Sequence, residues 1–191
     1  MYKRQLREVN EELHARVEDL GRISRENELL GELGAFLQAS QSLEEVYAVV
    51  QRFAAELFGG SGALYTLDDG ELEKSTQWGA DALMSHPEVH GCWALRRGEI
   101  HVSSGHQGLA CAHATHAHRT TICMPVMSAT GPLALLHLVA PEHADWDHRR
   151  ERVLRAVADR LGAALTTLAL QQRLRQESIR CLLYTSPSPR D

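Results

Sequence analysis

The chain has 191 residues, 43% of them hydrophobic, which is enough for one packed core of ordinary domain size with extended helices besides. Its formal net charge of -5 leaves no global basic field, so neither nucleic acid nor an anionic membrane surface is expected as a partner. No segment approaches the roughly 18 consecutive apolar residues of a membrane span, and the N-terminus has no apolar run of signal-peptide length, so the expectation is a soluble, cytoplasmic chain.

From the N-terminus, Leu6, Val9, Leu13, Leu20, Ile23, Leu30 and Leu37 recur at helical spacing, with Arg16, Asn27 and Gly34 filling the remaining places of a heptad seam. A seam of this kind predicts a long helix that pairs with a second copy of itself, with a polar Asn27 to fix register. The other reading is one amphipathic helix folded back on its own domain. Ser40 and Ser42 before Leu43-Glu44-Glu45 signal the start of a second helix, running to about Phe58 with Val46, Val49, Val50, Phe53, Ala54 and Leu57 on one face. Gly59-Gly60-Ser61-Gly62 ends it.

The period then changes. Ala63 to Leu67 and Leu72 to Trp78 flank Asp68-Asp69-Gly70, a hairpin signal. A second hairpin is expected from Thr121 to Met127 and Leu133 to Val139, joined by Ser128 to Pro132. Between the hairpins, Val89 to Arg97 predicts a short helix, Ile100 to Val102 a short strand and Ser103 to Arg119 a loop. From Trp146 to about Ile179 a long helix returns, with Leu154, Val157, Leu161, Ala164 or Leu165, and Leu168 in register. The fold class that follows is α+β, an antiparallel sheet packed between helices with long coiled-coil helices at both ends.

The last eleven residues, Cys181 to Asp191, depart from the arginine- and alanine-rich style of the rest, in which only Lys3 and Lys74 are lysines. They resemble the conceptual translation of a transposase-type sequencing adapter, and the expectation is an artefactual tail. The organisation expected is therefore a coiled-coil signalling helix over 1–29, a domain over 30–170, a linker helix over 171–180 and the tail over 181–191.

Chemistry concentrates in the excursion between the hairpins. It carries Gly91-Cys92-Trp93-Ala94-Leu95-Arg96-Arg97-Gly98 and then Cys111-Ala112-His113, while the following strand holds Cys123-Met124-Pro125. Nothing has nucleophile, base and oxyanion-hole spacing, and no glycine-rich phosphate loop is present, so no catalytic role is expected. The four cysteines, Cys92, Cys111, Cys123 and Cys181, do not make a secreted disulfide framework and fit a reducing compartment. Cys92, Cys111 and His113 have the atoms for a soft-metal site with one position open. They equally suit a redox switch, if the sulfurs lie within bonding reach, or a packed core, since cysteine often behaves as a small buried hydrophobe. Seven of the eleven histidines fall between His86 and His118, as expected of either a metal site or a solvated histidine-rich loop, with His116 and His118 on the outside. Arg96 and Arg97 could clamp an anion or simply cap a solvated helix end. Trp93 reads as a core residue or, less simply, as a platform for a ligand.

Taken together, Cys92 to Gly98, Cys111 with His113 and Cys123-Met124-Pro125 resemble the middle of a GAF domain of the kind found ahead of diguanylate cyclase (GGDEF) and histidine kinase modules in bacterial signalling proteins. The resemblance covers about Leu30 to Leu174 and departs from the subgroup at Gly91, where an acidic residue is usual. It implies a dimeric sensor whose ligand or redox residues come from Cys92, Trp93, Arg96, Arg97, Cys111, His113 and Cys123, with a metal ion or a small molecule as the cofactor. Gln171 to Arg180 resembles the linker that runs into a GGDEF domain, which implies control of cyclic di-GMP synthesis. The alternatives are a histidine kinase output and a metal- or redox-binding GAF module. A phytochrome-type bilin site lacks its other motifs here, and the cysteine arrangement of a GAF-type methionine sulfoxide reductase is not matched.

Overall fold

The computed structural model describes residues 2–104, 109–116, 118–142 and 146–184, and among these the side chains from residue 7 to 177 except that of residue 8. Its elements in order are α1 (Tyr2–Ala39), α2 (Leu43–Phe58), β1 (Ser61–Asp68), β2 (Glu71–Trp78), a 3-10 turn (Val89–Gly91), α3 (Trp93–Arg97), β3 (His101–Ser104), β4 (Thr120–Ser128), β5 (Gly131–Val139) and α4 (His148–Tyr184). The five strands form one antiparallel sheet in the order β2-β1-β5-β4-β3. This is the expected α+β architecture.

Local chemistry accounts for the element ends. Ser42 caps α2 by accepting from the Glu45 backbone N–H at 3.3 Å, and Glu45 reaches back to accept from the Gln41 N–H at 2.7 Å. These bonds satisfy donors that a helix start would otherwise leave orphaned. The β1–β2 turn has Asp69 and Gly70 both at positive φ, 47° and 85°, the mirror-image turn whose twist suits a two-residue hairpin. The β4–β5 connection is shorter than expected. Gly131 already pairs with Ser128, so two residues make the turn, and the register shifts between Val126 and Met127.

Alternation along β4 and β5 divides the core in two. Leu64, Ile122, Met124, Val126, Leu136 and Leu138 point to one face, where α1, α2 and α4 cover them. Close approach of α4 depends on Gly162: a Cβ there would lie 2.7 Å from the Met127 carbonyl oxygen. The other face is covered by α3 and the segment before β4 and buries Ala63, Tyr65, Leu72, Leu83, Cys92, Cys111, Cys123, Leu135 and Val139.

The long helices divide along their length. In α1, Leu30, Leu33 and Leu37 are buried in the chain's own core, whereas Val9, Leu13, Val17, Leu20 and Ile23 stay exposed. The heptad positions read as far as Leu37 thus divide, with those from Leu30 onward buried in the domain. In α4 the residues expected in register, Leu154, Val157, Leu161, Ala164, Leu165 and Leu168, are buried, and Leu170 and Leu174 beyond them are exposed. The helix also runs on to Tyr184, so four residues of the expected tail continue it; 185–191 lie outside the described residues. No helix among the described residues is long and apolar enough to cross a membrane.

Candidate metal and thiol site

The expected single helix over Val89 to Arg97 is broken at Cys92, whose extended backbone separates the 3-10 turn from α3. The break turns the Cys92 side chain inward, where it is fully buried. Gly91 lies in the turn just before it and accepts from the Ala112 N–H at 3.0 Å. A Cβ at Gly91 would sit 3.0 Å from that of Ala112, so the close approach of the two segments leaves little room for a side chain there. The same contact brings the next segment alongside, and with it Cys111 and His113. Cys123 arrives from β4, on the face of the sheet away from the long helices.

The four side chains converge. The Cys92, Cys111 and Cys123 sulfurs and a ring nitrogen of His113 lie within 4.8 Å of one another, and all four residues are buried. Cys111 Sγ is 4.0 Å from Cys92 Sγ, and His113 Nε2 is 3.2 Å from Cys123 Sγ. The Trp93 backbone N–H donates to Cys111 Sγ at 3.3 Å. At 4.0 Å the two sulfurs are unbonded and well beyond the disulfide length of about 2.05 Å.

His137, unsuspected in the apolar run of β5, completes the group. It pairs with Cys123 across the β4–β5 ladder, and its Nδ1 lies 3.3 Å from Cys123 Sγ. Its ring meets that of His113 edge-on, with centroids 4.9 Å apart. Both rings keep a buried nitrogen without a partner, Nδ1 of His113 and Nε2 of His137.

The three thiols perturb one another. Hydrogen bonds from Cys123, then from Cys92, draw the Cys111 thiol far down, and Cys92 and Cys123 are pushed up in return, first by that bond to Cys111. Burial keeps both imidazoles neutral: desolvation lowers His113, against a smaller pull from Cys111, and takes His137 down to about 3. Tyr65, on the same face, is raised to about 12 by desolvation and then by Cys123, and its hydroxyl donates to the Met84 carbonyl at 2.9 Å.

The remaining candidates lie elsewhere. Arg96 is exposed and stacks over the Trp93 ring at 4.4 Å, and Arg97 pairs with Glu99 at 3.0 Å on the surface. Neither arginine faces the sulfurs, and Trp93 reaches them through its backbone. His116 is not on the outside as expected. It is half-buried, with its ring 3.7 Å from Asp81; His118 is exposed.

A five-stranded antiparallel sheet with helices on one face and an elaborated crossover on the other makes a layered α+β domain. The family model for the GAF domain matches residues 42–165, and the chain belongs to that family. Among solved structures it is similar to a free methionine-R-sulfoxide reductase from Neisseria meningitidis in complex with its substrate, at 16% identity and TM-score 0.66 over 76% of this chain and 91% of that one. It is also similar to a putative GAF sensor protein from Burkholderia vietnamiensis, at 15% identity and TM-score 0.61 over 73% and 92%. The GAF domain of an Acinetobacter phosphoenolpyruvate-protein phosphotransferase aligns at 14% identity and TM-score 0.63 over 75% and 93%. At such identities the likeness is one of fold. No curated protein sequence matches the chain.

Proposed function

We propose that the chain is the sensory GAF module of a bacterial signalling protein, working as a homodimer and setting the activity of a C-terminal diguanylate cyclase. The observation that carries this reading is the position of β4 between the thiol site and the exit helix. Cys123 projects from one face of that strand into the cluster, while Ile122, Met124 and Val126 project from the other into the core that α4 shares. Gly162 of α4 sits directly against the Met127 backbone. A shift of β4 at the cluster is thus a shift of the surface on which α4 rests, and a rigid helix of 37 residues carries it beyond the domain.

The exposed stripe of α1, Val9, Leu13, Val17, Leu20 and Ile23, supplies the surface for a second copy, and Leu170 and Leu174 extend it on α4. A cyclase is the output favoured by the resemblance of Gln171 to Arg180 to a GGDEF linker; a histidine kinase is the rival. The chain itself is not an enzyme in this reading, and Cys92, Cys111 and Cys123, only 0%, 4% and 2% exposed, are too enclosed to serve as open nucleophiles.

Residues 1–180 fused to an isolated GGDEF domain test the reading. Cyclic di-GMP synthesis should change when one residue is inserted near Gln171 and recover when a full heptad is inserted. Synthesis indifferent to both insertions would remove transmission through α4, and the chain alone should convert no GTP.

A further inference from the structure

The sulfur and imidazole cluster has the donor set, the spacing and the closure of a metal centre. A tetrahedral Zn2+ with bonds of about 2.3 Å to sulfur and about 2.0 Å to nitrogen requires sulfur–sulfur edges of about 3.8 Å and sulfur–nitrogen edges of about 3.5 Å. Here the Cys92–Cys111 edge is 4.0 Å and the His113–Cys123 edge 3.2 Å, with every other edge inside 4.8 Å. Three sulfurs and an imidazole without a carboxylate suit Zn2+ and disfavour Ca2+ and Mg2+, which take oxygen. Cys92, Cys111 and His113 alone would leave a position open to water or substrate. Cys123 fills it, and four buried protein ligands make a closed site of the kind that holds structure.

We propose that Cys92, Cys111, Cys123 and His113 bind one Zn2+ in a closed tetrahedral site, His113 through Nε2, and that the ion fastens the crossover to the sheet. The ligands come from three separate pieces of chain: the residue before α3, the segment preceding β4, and β4 itself. The ion therefore ties together three pieces of chain that also pack around Tyr65, Leu83, Ala94 and Leu135. Binding exchanges thiol protons for Zn–S bonds and releases those protons to solvent, with no change of oxidation state. Three thiolates on one dication leave a net negative charge in a buried place. The Trp93 N–H on Cys111 Sγ and His137 Nδ1 beside Cys123 Sγ are placed to offset it as hydrogen-bond donors. A Cys92–Cys111 disulfide is the competing fate of these sulfurs, and it would remove two of the four ligands.

The site goes beyond the signalling role and is tested independently of it, because the readouts are metal content and spectra. The full chain, purified without chelator from medium supplied with Zn2+, should carry about one zinc per chain, falling to near none in Cys123→Ser and in His113→Gln. Cys181→Ser should keep the metal. Exchange with Co2+ should give the intense visible absorption of a tetrahedral ion together with a thiolate charge-transfer band. Native protein should protect three thiols from titration until a chelator is added. The wild-type spectrum and titration decide the matter even where a ligand variant fails to fold. The proposal is overturned by metal-free protein with freely titrating thiols, by the weak spectrum of octahedral cobalt, by a Cys92–Cys111 disulfide in the native chain, or by zinc retained in full after Cys123→Ser.

Discussion

Toward the helices, the central strands present Leu64, Ile122, Met124, Val126, Leu136 and Leu138, and α2 and α4 meet them with Phe53, Phe58, Leu154 and Leu161. Toward the crossover, the same strands present Ala63, Tyr65, Cys123, Leu135, His137 and Val139, met by a five-residue helix and a stretch of irregular chain. The first face is held by buried hydrocarbon and needs nothing else. The second also buries Tyr65, Leu72, Leu83, Leu135 and Val139, but sets three thiols and two imidazoles among them. A face so built adds specific bonds between polar atoms to its apolar packing, and specific bonds can be made and broken by chemistry. In the proposed reading the signal acts on that face, and rigidity belongs to the helical one.

The sharpest break between the faces is a pair of perturbations. Leu161→Ala removes a fully buried side chain and should cost about 2–5 kcal/mol in urea unfolding. Adding chelator should destabilise the crossover face. The two sites lie on opposite sides of the sheet but share β4, which presents Cys123 to one and Ile122, Met124 and Val126 to the other, so the effects should depart from additivity by more than about 0.5 kcal/mol. Simple additivity would mean that β4 does not link the faces. Gly162→Ala comes next: its Cβ would press the Met127 carbonyl, with strain of about 1–3 kcal/mol against a helix-propensity gain of up to about 1 kcal/mol. An unchanged or raised midpoint would show that α4 does not press on β4, and the proposed route from site to helix would lose its contact.

The helical face was legible in the sequence because hydrocarbon at period 3.6 marks a helix with one covered side, so α2 and the buried half of α4 fell where Val46, Phe53, Leu154 and Leu161 put them. Cys92, Cys111 and His113 were legible as residues with the right atoms, but that Cys123 would close the group was not. His137 was hidden for a definite reason. Counting back from the Ser128–Gly131 pair, an unbroken ladder sets Cys123 opposite Leu136 and sends His137 to the helical face. The shift between Val126 and Met127 moves the pairing by one residue and brings His137 opposite Cys123, since one residue of slip exchanges the faces of a strand. The one signal of such a bulge is Pro132, which has no ladder N–H and stands beside the extra residue Leu133. Leu20 and Leu30 of α1 obey the same period, so the seam alone does not divide that helix, and the division between 29 and 30 rests on the extent of the domain resemblance.

Between the two faces stands the rim formed by Asp81 and Arg119. Arg119 donates to Asp81 at 2.7 Å and to the Ala140 carbonyl at the end of β5, while the Asp81 N–H donates to the Ser61 hydroxyl at 3.0 Å. A hydrogen bond with Ser61, then the Arg119 guanidinium, hold the Asp81 carboxyl below its ordinary value in spite of some desolvation. A carboxyl with a lowered folded pKa stabilises above its unfolded value, near 4, and loses that contribution as pH falls through the folded one. Asp81→Asn should cost about 1 kcal/mol at neutral pH, for a partly exposed pair, and should flatten the acid limb of stability below about pH 4. An acid limb identical to that of the parent chain would show that the pair does not hold the rim.

The smallest effect on folding is expected where the apolar surface is least used. Val17 and Leu20 are 67% and 66% exposed on α1, against 0% for Leu33 farther along the same helix. Leu33→Ala should unfold like any core truncation, by about 2–5 kcal/mol. Leu20→Glu should change the stability of the isolated chain by no more than about 0.5 kcal/mol. What it should change is association, because a charge placed in the seam must be buried without a partner when two such helices meet. Light scattering of the parent chain should give a dimer mass, and of Leu20→Glu a monomer mass at the same concentration. If Leu20→Glu is as dimeric as the parent, the exposed stripe does not hold two copies together and the dimer must be built elsewhere, as from Leu170 and Leu174 of α4. If both chains are monomers, the proposed signalling dimer is lost.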